Sequence, residues 1–96
     1  MSEFTVNEVI DGDTFKVLGG WGWNGKKGDT VRPTGYNTPE VGEMGYEEAK
    51  RKLTNLILWK KVDIRNVNTI DVYGRLVADV YYNGKNLADY FSDYKI

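Results

Sequence analysis

The sequence predicts a β-rich α+β domain, a five-stranded Greek-key barrel with one main helix between the third and fourth strands and a short C-terminal helix. Two observations carry that expectation. Runs rich in β-branched and aromatic residues, broken by Gly, Asn and Asp turn pairs, fill most of the chain, and one stretch, Tyr46 to Leu58, keeps helical apolar spacing. A third bounds the size: 96 residues, 41% hydrophobic and 28% charged, make residues 1–96 one domain near the lower end of what buries a self-sufficient core.

From Phe4 to Leu18, Val6, Val9, Ile10, Phe15 and Val17 lie on either side of Asp11-Gly12-Asp13, which reads as a hairpin with its turn. Gly19 to Asp29, with its glycines and the Asn24-Gly25 pair, suits a tight or bulged connection to a third strand near Thr30 to Gly35. Pro33 has no N–H to give, so it needs an edge or a bulge. Trp21 and Trp23 read as a cross-strand aromatic pair stiffening this hairpin; beside Lys26 and Lys27 they are alternatively stacking platforms.

Within the helix, Tyr46, Ala49, Leu53, Leu56 and Ile57 share one face, and Glu47–Arg51 and Glu48–Lys52 are i,i+4 pairs. Trp59 at its end is expected to pack on the core or cap the helix. Two more strands follow, Lys61 to Asn68 and Arg75 to Tyr82, the second alternating Leu76, Ala78, Val80 and Tyr82 against polar neighbours. Asn83-Gly84 ends it, and Asn86 is placed to cap a short helix through Tyr94 that turns Leu87, Tyr90, Phe91 and Tyr94 to one side. This element order is that of the oligonucleotide/oligosaccharide-binding (OB-fold) barrel.

Cysteine and histidine are both absent. That excludes disulfides, thiolate zinc sites, cysteine nucleophiles and histidine bases, and leaves carboxylates, arginine, lysine, tyrosine and backbone, with hard cations such as Ca²⁺ or Mg²⁺ as the plausible metals. A net charge of -1 argues against coating nucleic acid by bulk electrostatics, so any such site is local. The first residues lack a signal-peptide pattern and no apolar run suits a membrane span, which gives cytoplasmic placement as the expectation; a processed secreted form would read the same.

Three polar segments carry chemistry. Asp11 and Asp13 flank Gly12, and two close carboxylates are expensive unless a cation or arginine neutralises them; alone, the segment is also ordinary turn chemistry. Asn37-Thr38-Pro39-Glu40 opens a turn, and equally offers an amide oxygen and a backbone carbonyl to a cation, with Glu40 to hold a water. Arg32 opens that second segment and Arg75 closes the third, Asp71-Val72-Tyr73-Gly74-Arg75; both fall near strand ends, where two guanidiniums can clamp a phosphate.

In this order, Asp11-Gly12-Asp13-Thr14, Arg32 with Asn37-Thr38-Pro39-Glu40, and Tyr73-Gly74-Arg75 resemble the staphylococcal (thermonuclease-like) nuclease family, with similarity extending from about Val6 to Phe91. The resemblance implies a Ca²⁺-dependent endonuclease of DNA and RNA, and single-stranded DNA or RNA is the substrate expected here. It makes Asp13, the residue at position 37 and the Thr38 carbonyl metal ligands, with Asp11 in support. It gives Glu40 the attacking water, Arg32 and Arg75 the scissile phosphate, and Tyr73 a neighbouring phosphate. Where the family has Asp this chain has Asn37, so weaker cation binding is expected. Family nucleases also carry base-contacting aromatics beyond the second helix, so weaker substrate binding is expected unless Tyr90, Tyr94 or the loop tryptophans substitute. The alternative is a catalytically impaired module that binds nucleic acid or a protein partner.

Overall fold

The computed structural model describes residues 2–96. Strands β1 (Glu3–Asp11), β2 (Thr14–Trp23) and β3 (Lys26–Pro33) precede the helix α1 (Tyr46–Ile57); β4 (Lys61–Ile70), β5 (Leu76–Tyr82) and the two-residue β6 (Lys85–Asn86) follow it. Hydrogen-bonded order is β3-β2-β1-β4-β5-β6, and parallel pairing of β3 with β5 closes the first five strands into a barrel. The expected OB-fold architecture is present, with β6 as a small addition on β5. No helix among the described residues is long and apolar enough to cross a membrane.

The barrel fills with the inward residues of each strand: Val6, Phe15, Val17, Val31, Val62, Ile64, Leu76, Ala78 and Val80 are buried. A register shift at Asn7 in β1 lets Val6 and Val9 both face inward, which strict alternation forbids. A larger shift in β2, between Lys16 and Trp21, contains Gly19 and Gly20 at φ 79° and 72°. Pro33 ends β3 opposite Ala78, beyond the last pairing of β2 with β3 at Phe15–Val31, so its missing N–H faces no β2 partner.

Several expectations are corrected. Trp21 and Trp23 both lie on β2, so they are no cross-strand pair: Trp21 is buried opposite Gly28, its Nε1–H donating to the Thr30 carbonyl at 3.0 Å. β3 starts at Lys26 rather than Thr30, because the bulge in β2 lets pairing resume beyond it. Trp59 is 63% exposed at φ 62°; its backbone, not its ring, serves the fold, donating to the Val6 carbonyl at 2.8 Å.

Helix α1 buries Ala49, Leu53 and Ile57 and packs across β1. Ion pairs among the described residues are Arg32–Asp13, Arg65–Asp63, Arg75–Asp71 and Lys95–Asp89, so the Glu47–Arg51 and Glu48–Lys52 pairs stay open, as solvated surface charges commonly do. The C-terminal helix is two 3₁₀ turns, Leu87–Tyr90 and Ser92–Tyr94, too short to propagate an α-helix. Asn86 does cap the first, its Oδ1 accepting from the Ala88 N–H at 2.9 Å. The turns clamp the segment after β3. Phe91 stacks on Tyr36 with ring centroids 4.6 Å apart, and the Asn37 N–H donates to the Tyr94 carbonyl at 3.0 Å.

Candidate active site

Three connections meet at one end of the barrel: the β1–β2 turn, the segment after β3, and the β4–β5 turn. They enclose a cleft of about 360 Å³ lined by Asp11, Asp13, Arg32, Asn37, Thr38, Pro39, Glu40, Glu43 and Arg75. These surround a single hollow although Asp11 and Arg75 lie 64 positions apart in the chain. Tyr73 stands at the rim, 80% exposed, with the Arg75 guanidinium 5.2 Å from its ring centroid.

Each connection is braced. In the first turn, a Cβ on Gly12 would lie 2.7 Å from both Ala49 Cβ and Thr38 Oγ1, so only glycine lets the turn seat against α1 and the following segment. The buried Tyr36 hydroxyl donates to the Gly12 carbonyl at 2.9 Å, and burial, then the nearby Asp13 charge, pushes its pKa far up. Asp13 is nearly buried and well held: Oδ2 accepts the Thr38 N–H at 3.1 Å and Oδ1 the Thr14 hydroxyl at 3.3 Å.

In the β4–β5 turn, Asp71 is the organiser. Its Oδ1 accepts the N–H groups of Tyr73 and Arg75, each at 3.0 Å, and its Oδ2 takes the Arg75 Nε–H at 2.7 Å. Burial pushes the Asp71 carboxyl up, but the Arg75 backbone N–H and guanidinium outweigh it and hold the carboxyl below its usual range. Arg75 Nη1 then reaches the Thr14 hydroxyl at 3.3 Å, joining this turn to the Asp13 side.

Arg32 is held by its own segment: Nη1 donates to the carbonyls of Pro33 at 2.6 Å and Tyr36 at 3.1 Å. Nη2 donates to the Asn37 Oδ1 and stands 3.5 Å from Asp13 Oδ2. The structure therefore turns the Asn37 oxygen toward an arginine. Glu40 is exposed, and its carboxylate has no hydrogen-bonding partner among the described residues, while its N–H donates to Glu43 Oε1 at 2.6 Å and its carbonyl accepts the Glu43 N–H at 2.9 Å.

The sequence reading gave Glu43 no role, and took Asp71 only as the start of the third polar segment, without a role of its own. Glu43 follows Glu40 by three residues, a reciprocal turn spacing, and Asp71 opens an Asp-x-Tyr-Gly-Arg run suited to an Asx turn. Those spacings were the available signals.

Four carboxylates face two guanidiniums, so the cleft carries two excess negative charges. Burial, then a hydrogen bond and the charge of Asp13, raises the Asp11 pKa, as expected for two crowded acids. The Thr38 Oγ1 is buried with no hydrogen-bonding partner. No three carboxylates among the described residues converge tightly enough to hold an ion by themselves. An all-oxygen donor set of two carboxylates plus carbonyl and solvent oxygens fits a hard divalent cation, which readily takes such mixed ligands.

An OB-fold barrel whose strand-end cleft combines carboxylates with a pair of arginines is the class that fold and site define. A family model described as staphylococcal nuclease homologue matches residues 30–91. Endonuclease YncB of Bacillus subtilis (strain 168) is 36% identical over 93 residues, covering 88% of this chain and 42% of that protein. SPbeta prophage-derived endonuclease YokF of the same strain is 32% identical over 95 residues, covering 91% of this chain and 30% of that protein. The chain belongs to the staphylococcal nuclease family, and spans less than half the length of these curated relatives.

Proposed function

We propose that this domain hydrolyses phosphodiester bonds of single-stranded DNA or RNA with a divalent cation, Ca²⁺ in the first place and Mg²⁺ in the second. The excess of two negative charges in a cleft that must also receive an anionic phosphate carries the reading. Asp13 and Asp11 hold the cation with the Thr38 carbonyl. Bound there, a divalent ion offsets that excess and polarises a phosphate oxygen. Arg32 and Arg75 grip the scissile phosphate and stabilise charge that builds on it. Glu40, whose carboxylate is free, orients a water and takes its proton. Exposed Tyr73 lies against a neighbouring phosphate or base, which favours single strands because their bases are open to contact. Both relatives are named as endonucleases, which supports cutting within a strand.

End-labelled single-stranded DNA and RNA, incubated with the folded protein and millimolar Ca²⁺ or Mg²⁺, test this directly. Cleavage is expected, abolished by chelator and by Glu40→Gln, Arg32→Ala or Arg75→Ala, and slower on duplex. Intact substrates with either ion overturn it. One observation favours a second reading, a barrel that binds nucleic acid without cutting: no carboxylate stands at position 37, and the Asn37 oxygen is engaged by Arg32. Asn37→Asp separates the two. A large gain in cleavage marks a weakened enzyme, and binding of single strands with no cleavage by either protein marks a binding module.

A further inference from the structure

We infer that Asn37 is a positioning residue for Arg32, and that its amide oxygen serves the arginine rather than the cation; the inference rests on the nuclease reading of the cleft. Asn37 is exposed, so packing does not dictate its side chain. Its backbone is nonetheless fixed, because its N–H donates to the Tyr94 carbonyl and the preceding Tyr36 is stacked on Phe91. From that anchored position its Oδ1 accepts from Arg32 Nη2.

The guanidinium thus sits in a cradle built by its own segment. Nη1 is satisfied by two carbonyls, Nη2 by one amide oxygen, and Asp13 stands 3.5 Å from Nη2. Nε–H donates to no described residue and remains for a ligand. Chemistry favours an amide here. A carboxylate at position 37 would give Arg32 two anionic partners, Asp13 being the other, and would cancel the charge that a phosphate needs. The amide aims the guanidinium by its dipole and leaves that charge in place. The exchange lowers the charge offered to the cation and raises that offered to the phosphate.

The experiment follows Arg32 side-chain ¹⁵N–¹H signals in the metal-free protein and measures calorimetric titration with CaCl₂ alone, for wild type, Asn37→Ala and Asn37→Asp. In Asn37→Ala the Nη2 protons are expected to lose their hydrogen-bonded shift and exchange with water about tenfold faster, the size of one charge-assisted hydrogen bond at a partly open site. Nη1, held by Pro33 and Tyr36, keeps its signals, which a general loosening of the segment would not allow. Calcium affinity changes by less than about twofold. In Asn37→Asp the Nη2 signals persist and calcium binds more tightly. Unmoved Nη2 signals in Asn37→Ala overturn the assignment, and so does a roughly tenfold loss of calcium affinity in that variant. Failure of the nuclease reading is distinct: it is a wild-type protein that cuts nothing, and it leaves the Arg32 signals to decide this assignment.

Discussion

Gly12→Ala tests how tightly the cleft is tied to the fold. Gly12 does not have a left-handed φ, so alanine meets no backbone strain there and the whole effect comes from space. The new methyl would lie 2.7 Å from Ala49 Cβ and Thr38 Oγ1 and 2.9 Å from Thr38 Cβ. Neither neighbour is the loose end of a flexible side chain: Ala49 is 1% exposed in α1, and Thr38 is 8% exposed and tied through its N–H to Asp13. One of three anchored segments must move. Overpacking of this kind costs about 2 kcal/mol, which in a domain of this size lowers Tm on the order of 10 °C. The assay is thermal and urea denaturation of wild type and variant. Gly22→Ala is the control, because its methyl would find nothing nearer than the Lys26 carbonyl at 3.8 Å, so a change within about 0.5 kcal/mol is expected. A Gly12→Ala protein within that same margin of wild type refutes the close-packed account of the turn.

Arg75→Lys loses the Nε bond to Asp71 and the Nη1 reach to Thr14, and is expected to slow cleavage about a hundredfold; an unchanged rate removes Arg75 from the phosphate. Asp71 has a folded pKa below its unfolded value of about 3.9, so its stabilising effect is complete above that value and disappears as pH falls through the folded one. Urea midpoints from pH 7 to 3 should therefore show the wild-type advantage over Asp71→Asn shrinking below about pH 4, and a pH-independent gap refutes the linkage. Phe91→Leu removes the stack on Tyr36 and should cost about 1 kcal/mol by urea denaturation, while loosening the Asn37 backbone seen as faster amide exchange. Asp11→Asn should raise Tm without metal, because it relieves one of two crowded carboxylates, and reduce the Tm gain on adding CaCl₂; a fall in metal-free Tm contradicts the crowding.

How much of this was legible depended on whether a signal was local. The β1–β2 hairpin announced itself because Asp-Gly-Asp supplies its own turn chemistry, and α1 because Ala49, Leu53 and Ile57 repeat at helical spacing. Asn86 was readable as a cap because capping is a short-range bond. Trp21 was not, since its inward direction is set by how many residues the Gly19–Gly20 bulge inserts relative to β3, a property of the pair of strands. Nor was the exposure of Trp59, which follows from a positive φ demanded by its backbone bond to Val6. The candidate residues were found as segments; their convergence came only from barrel closure between β3 and β5, which brings Arg32 beside the connection carrying Arg75.

The Asn37 departure shows where sequence and structure divide most clearly. In one dimension a neutral amide in place of an acid reads as pure loss, because the only partner in view is the cation. In three dimensions the oxygen has a second claimant. Arg32 approaches from the same segment, Asp13 already contributes one negative charge to it, and the C-terminal turns hold the backbone that decides which of the two the side chain meets. An acid there would keep the bond to Arg32 but offset the charge that the guanidinium offers a phosphate. On the proposed reading, a substitution at position 37 therefore acts first on how Arg32 is held rather than deleting a cation ligand.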